Sequence, residues 1–365
     1  MTVRVPVAVE PGEAGATNEN VPVICSASSS VIVPLPAVAP AAALRIALGC
    51  STINALFTHS GLNIHISSPK YTHLHMCRRL LLSLFLLVLV PAAFAQSGKV
   101  FDNLTLESTI LKGERKYAVY LPPDYETSER SYPVLYLLHG GGDDQTGWVQ
   151  FGEVLNITDK AIREGVATPM IIVMPDANTG RRGYFNDIRN EWRYEDFFFE
   201  ELMPHVEKTY RIKGQKRYRA VAGLSMGGGG TFMYAMRRPD LFSSAAPLSA
   251  STGVMDLAAF KSRLEQQQVD LSGLSDAQIE AYFRRHNTLS LIEDLPADSI
   301  KSVRWYIDCG DDDFLYEGNA LTHIALRKKE VPHEYRVRQG GHTWTYWRES
   351  LPEVLRFVSQ AFHQY

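Results

Sequence analysis

The chain is short of cysteine and has no apolar run of membrane-spanning length. Of four cysteines in 365 residues, Cys25, Cys50 and Cys77 lie early and only Cys309 follows position 95, so residues 96–365 can form no internal disulfide. The longest apolar run, Leu80 to Val90, is broken by Ser83 and is about half the roughly twenty residues a spanning helix needs. No His-Glu-x-x-His, no cysteine–histidine cluster of zinc spacing and no phosphate-cradling Gly-x-x-x-x-Gly-Lys loop occurs, so no metal or organic cofactor is expected. The formal charge is −3, from 37 basic and 40 acidic residues without a long basic run. That gives no nucleic-acid or anionic-lipid surface and points to a small or neutral partner. What is present is 45% hydrophobic and 10% aromatic, enough for a large core, and this excludes collagen-like, disordered and polytopic membrane chains.

Met76-Cys77-Arg78-Arg79 gives the apolar run a basic start, and Pro91-Ala92-Ala93-Phe94-Ala95 closes it in an Ala-x-Ala pattern before Gln96. These are the three regions of a secretory signal peptide. Residues 76–95 are therefore read as a leader cut after Ala95, with the protein expected in the periplasm or outside the cell. Residues 1–75 are rich in Ala, Val, Pro and Ser and hold no sustained period of 3.6 or 2. They are read as an extension, either translated upstream of a native start at Met76 or disordered. Residues 96–365 then suit one α/β domain.

Within that domain, Leu104 to Leu111 and Lys116 to Leu121 read as a hairpin about Lys112-Gly113-Glu114. Continuous apolar runs at 134–138, 170–174, 218–222, 245–248 and 303–307 have the character of strands buried on both faces of a parallel sheet. Stretches 154–164, 195–210, 228–237 and 320–329 carry helical spacing between them, Glu334 to Val337 adds a strand, and Pro352 to His363 is a closing helix. Strand and helix alternate, which predicts a mostly parallel sheet covered on both sides. Thr252 to Ser299, with helices predicted over Leu257 to Gln266 and Asp276 to Arg285, reads as an insertion over the strand ends, where ligand sites of such sheets lie.

Gly223-Leu224-Ser225-Met226-Gly227 follows an apolar strand and precedes a helix, the strand-turn-helix elbow that lifts a serine hydroxyl above a sheet. Glycines are needed there because the sharp turn brings backbones together. His139-Gly140-Gly141-Gly142 follows an earlier strand, and a glycine loop in that place can aim N–H groups at the oxyanion of acyl transfer. The two donors are expected to be the N–H groups of Gly141 and Met226. A serine needs a base. His342 sits in a loop after the last strand, whereas His205 and His323 lie within helices, His286 ends one, His333 starts a strand and His363 is at the tail. An acid must orient that base: in Gly310-Asp311-Asp312-Asp313-Phe314, Asp313 is the first choice, Asp312 the second, and Asp308 on the preceding strand the third.

These residues, with Trp148 after the glycine loop, Tyr194-Glu195-Asp196-Phe197 leading to Glu201-Leu202-Met203-Pro204, and Gly341-His342-Thr343-Trp344, resemble the esterase D family, which includes feruloyl and acetyl-xylan esterases, S-formylglutathione hydrolases and mycobacterial mycolyltransferases. The resemblance spans Leu104 to Phe362 and, with the chain order Ser225, Asp313, His342, implies the α/β-hydrolase fold. It implies Ser225 as nucleophile, His342 as base, Asp313 as acid, and Gly141 and Met226 as oxyanion donors. It further implies a carboxylic ester hydrolase of the secreted feruloyl or acetyl-xylan type acting on a small-molecule or polysaccharide ester. His139, Gly142, Trp192 and Trp344 are expected to contact substrate, and Tyr184 could stack on it. Acyl transfer, an S-formylglutathione hydrolase-like thioesterase, a peptidase and a sugar-binding module without catalysis are the competing readings; the leader weighs against the cytosolic thioesterase and the intact triad against the binding module.

Overall fold

A computed structural model describes residues 96–177, 183–253 and 255–363, together with strand segments at 43–48, 51–58 and 61–67. The leader read at 76–95, its cleavage point and residues 1–42 lie outside the described residues. The chain divides into two units, Met1–Ala93 and Phe94–Tyr365. In the first, β1 (Ala43–Leu48), β2 (Ser51–Thr58) and β3 (Gly61–Ser67) pair antiparallel in the order β1-β2-β3. The sequence reading finds no sustained period here, yet Leu62, Ile64 and Ile66 do alternate with Asn63, His65 and Ser67. That period-2 run is one strand long and does not extend through its neighbours.

The second unit is built on an eight-stranded sheet ordered β11-β10-β9-β8-β6-β7-β5-β4. Its strands are β4 (Lys99–Ser108), β5 (Gly113–Leu121), β6 (Val134–Leu138), β7 (Ile171–Pro175), β8 (Arg219–Leu224), β9 (Ser244–Leu248), β10 (Arg304–Gly310) and β11 (Glu334–Arg338). The last six run parallel; β5 joins β7 antiparallel, and β4 joins β5 in the same sense. This is the mostly parallel, twice-covered sheet the alternation predicts, in the α/β-hydrolase arrangement. β6 shows why its strands read as unbroken apolar runs. Val134, Tyr136 and Leu138 enter a cluster on one face with Phe198 and Phe232, while Leu135 and Leu137 enter a second cluster with Val354 and Leu355. Side chains of a strand alternate between faces, so a strand covered twice must be apolar throughout. Full burial of each such leucine contributes about 2 kcal/mol.

Three expected boundaries shift. The hairpin turn falls at 109–112, because Glu201 accepts from the Thr109 N–H (3.0 Å), the Ile110 N–H (3.1 Å) and the Ser108 hydroxyl (2.5 Å) and so satisfies the turn. The helix expected over 195–210 is instead α3 (Tyr194–Asp196), a π-helical segment (Phe197–Leu202) and α4 (Met203–Thr209). Pro204 offers no N–H to the turn before it, and the widened turn buries both Phe197 and Phe198.

The closing helix begins eight residues before Pro352 and spans Trp344–His363. Proline inside a helix costs about 3 kcal/mol, which the burial of Tyr346, Trp347 and Leu351 ahead of it offsets. The other helices are α1 (Gly147–Gln150), α2 (Val154–Arg163), α5 (Met226–Arg237), α6 (Leu257–Gln266), α7 (Asp276–Arg285), α8 (Thr288–Asp294), α9 (Ala297–Lys301) and α10 (Tyr316–Lys328), so the closing one is α11. Helices α6 to α9 lie between β9 and β10 and form the expected insertion. α6 starts where the Asp256 carboxylate accepts from the Ala259 N–H, and α7 starts in a reciprocal Ser275–Gln278 capping box. Among the described residues no helix is long and apolar enough to cross a membrane.

Candidate active site

Ser225 stands between β8 and α5 with φ 54° and ψ −115°, a backbone conformation that costs a non-glycine residue about 1–3 kcal/mol. Three backbone bonds hold it: its N–H donates to the Leu248 carbonyl (2.9 Å), and its own carbonyl accepts from Gly229 (3.0 Å) and Ser251 (2.9 Å). The flanking glycines are required. A Cβ at Gly223 would lie 2.6 Å from the Gly227 carbonyl oxygen, and one at Gly227 would lie 2.6 Å from that of His139.

The structure brings the three expected catalytic side chains into one line. The Ser225 hydroxyl meets His342 Nε2 at 2.9 Å, and His342 Nδ1 meets Asp313 Oδ2 at 2.9 Å. With Nδ1–H donating to the carboxylate, Nε2 is left to accept the serine proton. Asp313 also accepts from the Leu315 N–H at 2.8 Å. Burial pushes its carboxyl upward, but the bonds from His342, Leu315 and Ser249 outweigh that, and it stays below the ordinary carboxylate range.

The two alternative acids lie elsewhere. Asp311 and Asp312 are exposed, with Asp311 bound to the Gly340 N–H at 2.9 Å. Asp308 is buried on β10 and accepts from Tyr306 (2.8 Å), Arg338 (2.6 Å) and Tyr346. It supports the sheet beneath the site.

Sequence reasoning missed the support behind Asp313. Ser249, one residue beyond β9, has φ 43° and helps to hold the Asp313 carboxyl low, while Trp347 Nε1 donates to Ser249 Oγ at 3.0 Å. Neither residue belongs to a short motif. The Phe314 ring, largely exposed, lies 4.5 Å from the His342 ring, and Trp347 meets that ring edge-on at 4.9 Å.

The glycine loop lies against the nucleophile: a Cβ built on Gly140 would be 3.5 Å from that of Ser225. Gly141 and Gly142 are exposed beside it, and Met226 is the first residue of α5, where a helix N–H has no partner within the helix. His139 is not at the surface of the site. Its ring is buried, with one nitrogen at 2.8 Å from the Gly140 carbonyl and the other accepting from the Ala177 N–H at 2.8 Å, so it fixes the loop rather than touching substrate.

Each of the aromatic residues expected near substrate has packing partners in the structure. Tyr184 is buried and donates to the His139 carbonyl at 3.1 Å. Trp192 packs on the core under Arg115. Trp344 stands edge-on to Trp148 and Trp347, at 5.2 and 5.3 Å. The cavity beside the nucleophile holds about 250 Å³ and is lined instead by Met226, Ser251 and Phe185 with Phe260 of α6 and Tyr282 and Phe283 of α7.

A serine elbow, a glycine loop and a Ser–His–Asp line on this sheet define an α/β-hydrolase with acyl-transfer geometry. The chain belongs to the esterase family described as "Putative esterase", whose model matches residues 108–358. A solved structure of a ferulic acid esterase is 36% identical, with a TM-score of 0.64 over 73% of this chain and 99% of its own. An esterase of Mycobacterium tuberculosis is 30% identical over 62% of this chain and 52% of its own length. An endo-1,4-beta-xylanase/feruloyl esterase of Xylanibacter ruminicola is 37% identical over 37% of this chain and 19% of its own length. The chain thus spans about half of the first of these curated relatives and about a fifth of the second.

Proposed function

We propose that the protein is an exported serine carboxylic ester hydrolase acting on feruloyl or acetyl esters of polysaccharide or on related small esters. The observation that carries this reading is the Ser225–His342–Asp313 line at 2.9 Å per contact. Ser225 Oγ attacks the ester carbonyl while His342 Nε2 takes its proton, and the carbonyl oxygen becomes an oxyanion facing the N–H groups of Met226 and Gly141. Collapse expels the alkoxide, which leaves as the alcohol with the proton from His342. Water then attacks the acyl-serine, again losing a proton to His342, and the acid departs with Ser225 restored. The ferulic acid esterase likeness supports the acyl group, and the segment 76–95 supports export.

The test uses purified full-length chain and its Ser225→Ala variant on p-nitrophenyl acetate, methyl ferulate and acetylated xylan. Hydrolysis by the wild type that falls at least about 10³-fold in the variant supports the reading; inactivity of folded wild type on all three overturns it. N-terminal sequencing of protein recovered from the native host is expected to begin at Gln96, and residues before Met76 in that protein would overturn the leader.

A further inference from the structure

The cavity beside Ser225 is walled by α6 and α7 of the insertion on one side and by α5 and the segment after residue 182 on the other. Among the described residues, none of 311–316 and none of the His342 loop lines it. A departing alcohol takes its proton from His342 Nε2, so the alcohol half of an ester lies toward His342 and the acyl half turns into the cavity. A cavity of about 150 Å³ takes up benzene, so about 250 Å³ has room for a ring and the short link to an ester carbonyl.

Most of this lining is apolar, but one member is charged. Phe260, Arg263, Leu264 and Gln267 stand at i, i+3, i+4 and i+7 along α6 and its cap, the spacing of a single helix face. The helix dipole favours a cation in a last turn, yet it does not require that cation on the face that closes a cavity. Arg263 is exposed and, among the described residues, its guanidinium forms no hydrogen bond or ion pair; the Gln267 amide forms no hydrogen bond either. No Asp or Glu stands in the lining. His286 adds no polar contact of its own. Its Nδ1 lies 2.7 Å from the Tyr282 carbonyl, and its Nε2 is shut off from solvent without a hydrogen-bond partner. Its ring is also neutral, because burial, with Arg237 and Arg285 close by, pushes the imidazole down to about 3. An apolar cleft that carries charge of one sign focuses the field on whatever enters it. The complement of this lining is a negative group, met by donors that sit one helical turn apart.

We infer that Arg263, with Gln267 beside it, is the specificity-determining donor for a carboxylate at the far end of the acyl half, so that the cavity takes half-esters of dicarboxylic acids in preference to neutral acyl groups of the same shape. This rests on the serine esterase reading above and extends its acyl half to a charged class. A guanidinium binds a carboxylate through parallel N–H donors, and a neutral amide of equal size gains no charge-assisted bond there.

The experiment compares kcat/KM for methyl 3- and 4-carboxycinnamate with the matching 3- and 4-carbamoyl esters, each divided by the value for p-nitrophenyl acetate. It uses the full-length wild type, Arg263→Gln and Arg263→Lys. The wild type is expected to prefer at least one carboxylate over its amide by about tenfold at low salt, and added salt should shrink that preference. Arg263→Gln should bring it to unity or below, while Arg263→Lys, which keeps the charge without the planar fork, should retain part of it. A wild type that uses each carboxylate no better than its amide, or an Arg263→Gln variant that keeps the preference, overturns the inference and leaves the serine esterase standing. Wild type inert toward all four cinnamates but active on p-nitrophenyl acetate also overturns it, whereas inertness toward every ester removes the reading beneath it.

Discussion

Trp347 Nε1 donates to Ser249 Oγ at 3.0 Å, and the Ser249 hydroxyl is among the groups that hold the Asp313 carboxyl low. An indole is a donor only, so the Ser249 proton points away from Trp347 and is left for the acidic side chains on its other side. Ser249→Ala should therefore lower kcat by about tenfold with KM little changed, and Trp347→Phe should do the same through Ser249. Steady-state kinetics on a small ester checks this; a rise in KM alone would mean that both residues act only on the cavity.

The influence of Ser249 on Asp313 predicts a pH effect. Asp313 is held below its ordinary value in the folded chain, so its contribution to stability is present above that value and is lost as the pH falls through the folded one. Removing the Ser249 hydroxyl makes the depression smaller. Acid unfolding of Ser249→Ala should start at a higher pH than that of the wild type, as followed by circular dichroism.

Three neighbouring acids should separate cleanly. Asp313→Asn is expected to lower kcat by about 10⁴-fold, because the imidazole loses the partner that fixes its tautomer. Asp312→Asn, on an exposed side chain, should change kcat less than twofold. Asp308→Asn leaves Arg338, Tyr306 and Tyr346 with a weaker acceptor and should appear as a lower melting temperature, with about 1–3 kcal/mol lost.

His286 gives a second pH signature. Its pKa lies near 3 in the folded chain against about 6.5 unfolded, so between those values the unfolded state binds a proton that the folded state refuses. Stability falls as the pH drops through that window. His286→Phe should flatten the part of the melting-temperature profile between pH 7 and pH 4 that this residue causes.

Gly227→Ala places a Cβ 2.6 Å from the His139 carbonyl oxygen. Overpacking of this kind costs about 1–3 kcal/mol, and relief by movement of the glycine loop would draw it off Ser225. The variant should both melt earlier and lose activity, whereas a purely local accommodation would leave kcat intact.

Much of this was legible in the sequence because the physics was local. A strand buried on both faces must be apolar at every position, and 134–138 declares that directly. The elbow and the glycine loop are contiguous motifs, so Ser225 and its surroundings could be read without a fold, and the order of chain segments singled out His342 as the candidate partner that the structure places at its hydroxyl.

What was not legible depends on distant partners. The π-helical turn at Phe197 answers a proline and two buried rings at once. Asp313 could be ranked above Asp312 but was separated from it only by the backbone that turns one inward and the other out. His286 reads as an ordinary helix-terminal histidine until α7 is folded against Phe185 and its second nitrogen is left bare. Trp192 and Trp344 carry no mark that distinguishes a packed ring from a substrate platform.

The spacing of the triad along the chain has a consequence in time. Ser225 and His342 are 117 residues apart, and the histidine arrives only with the loop ahead of α11. A polypeptide is made from its N-terminus, and at about 5–20 residues per second Ser225 leaves the ribosome several seconds before the imidazole its hydroxyl meets. Until the closing helix docks and seats Trp347 behind Ser249, the nascent chain carries a strained but inert hydroxyl. The Ser225–His342–Asp313 line is thus assembled only by completion of the chain itself.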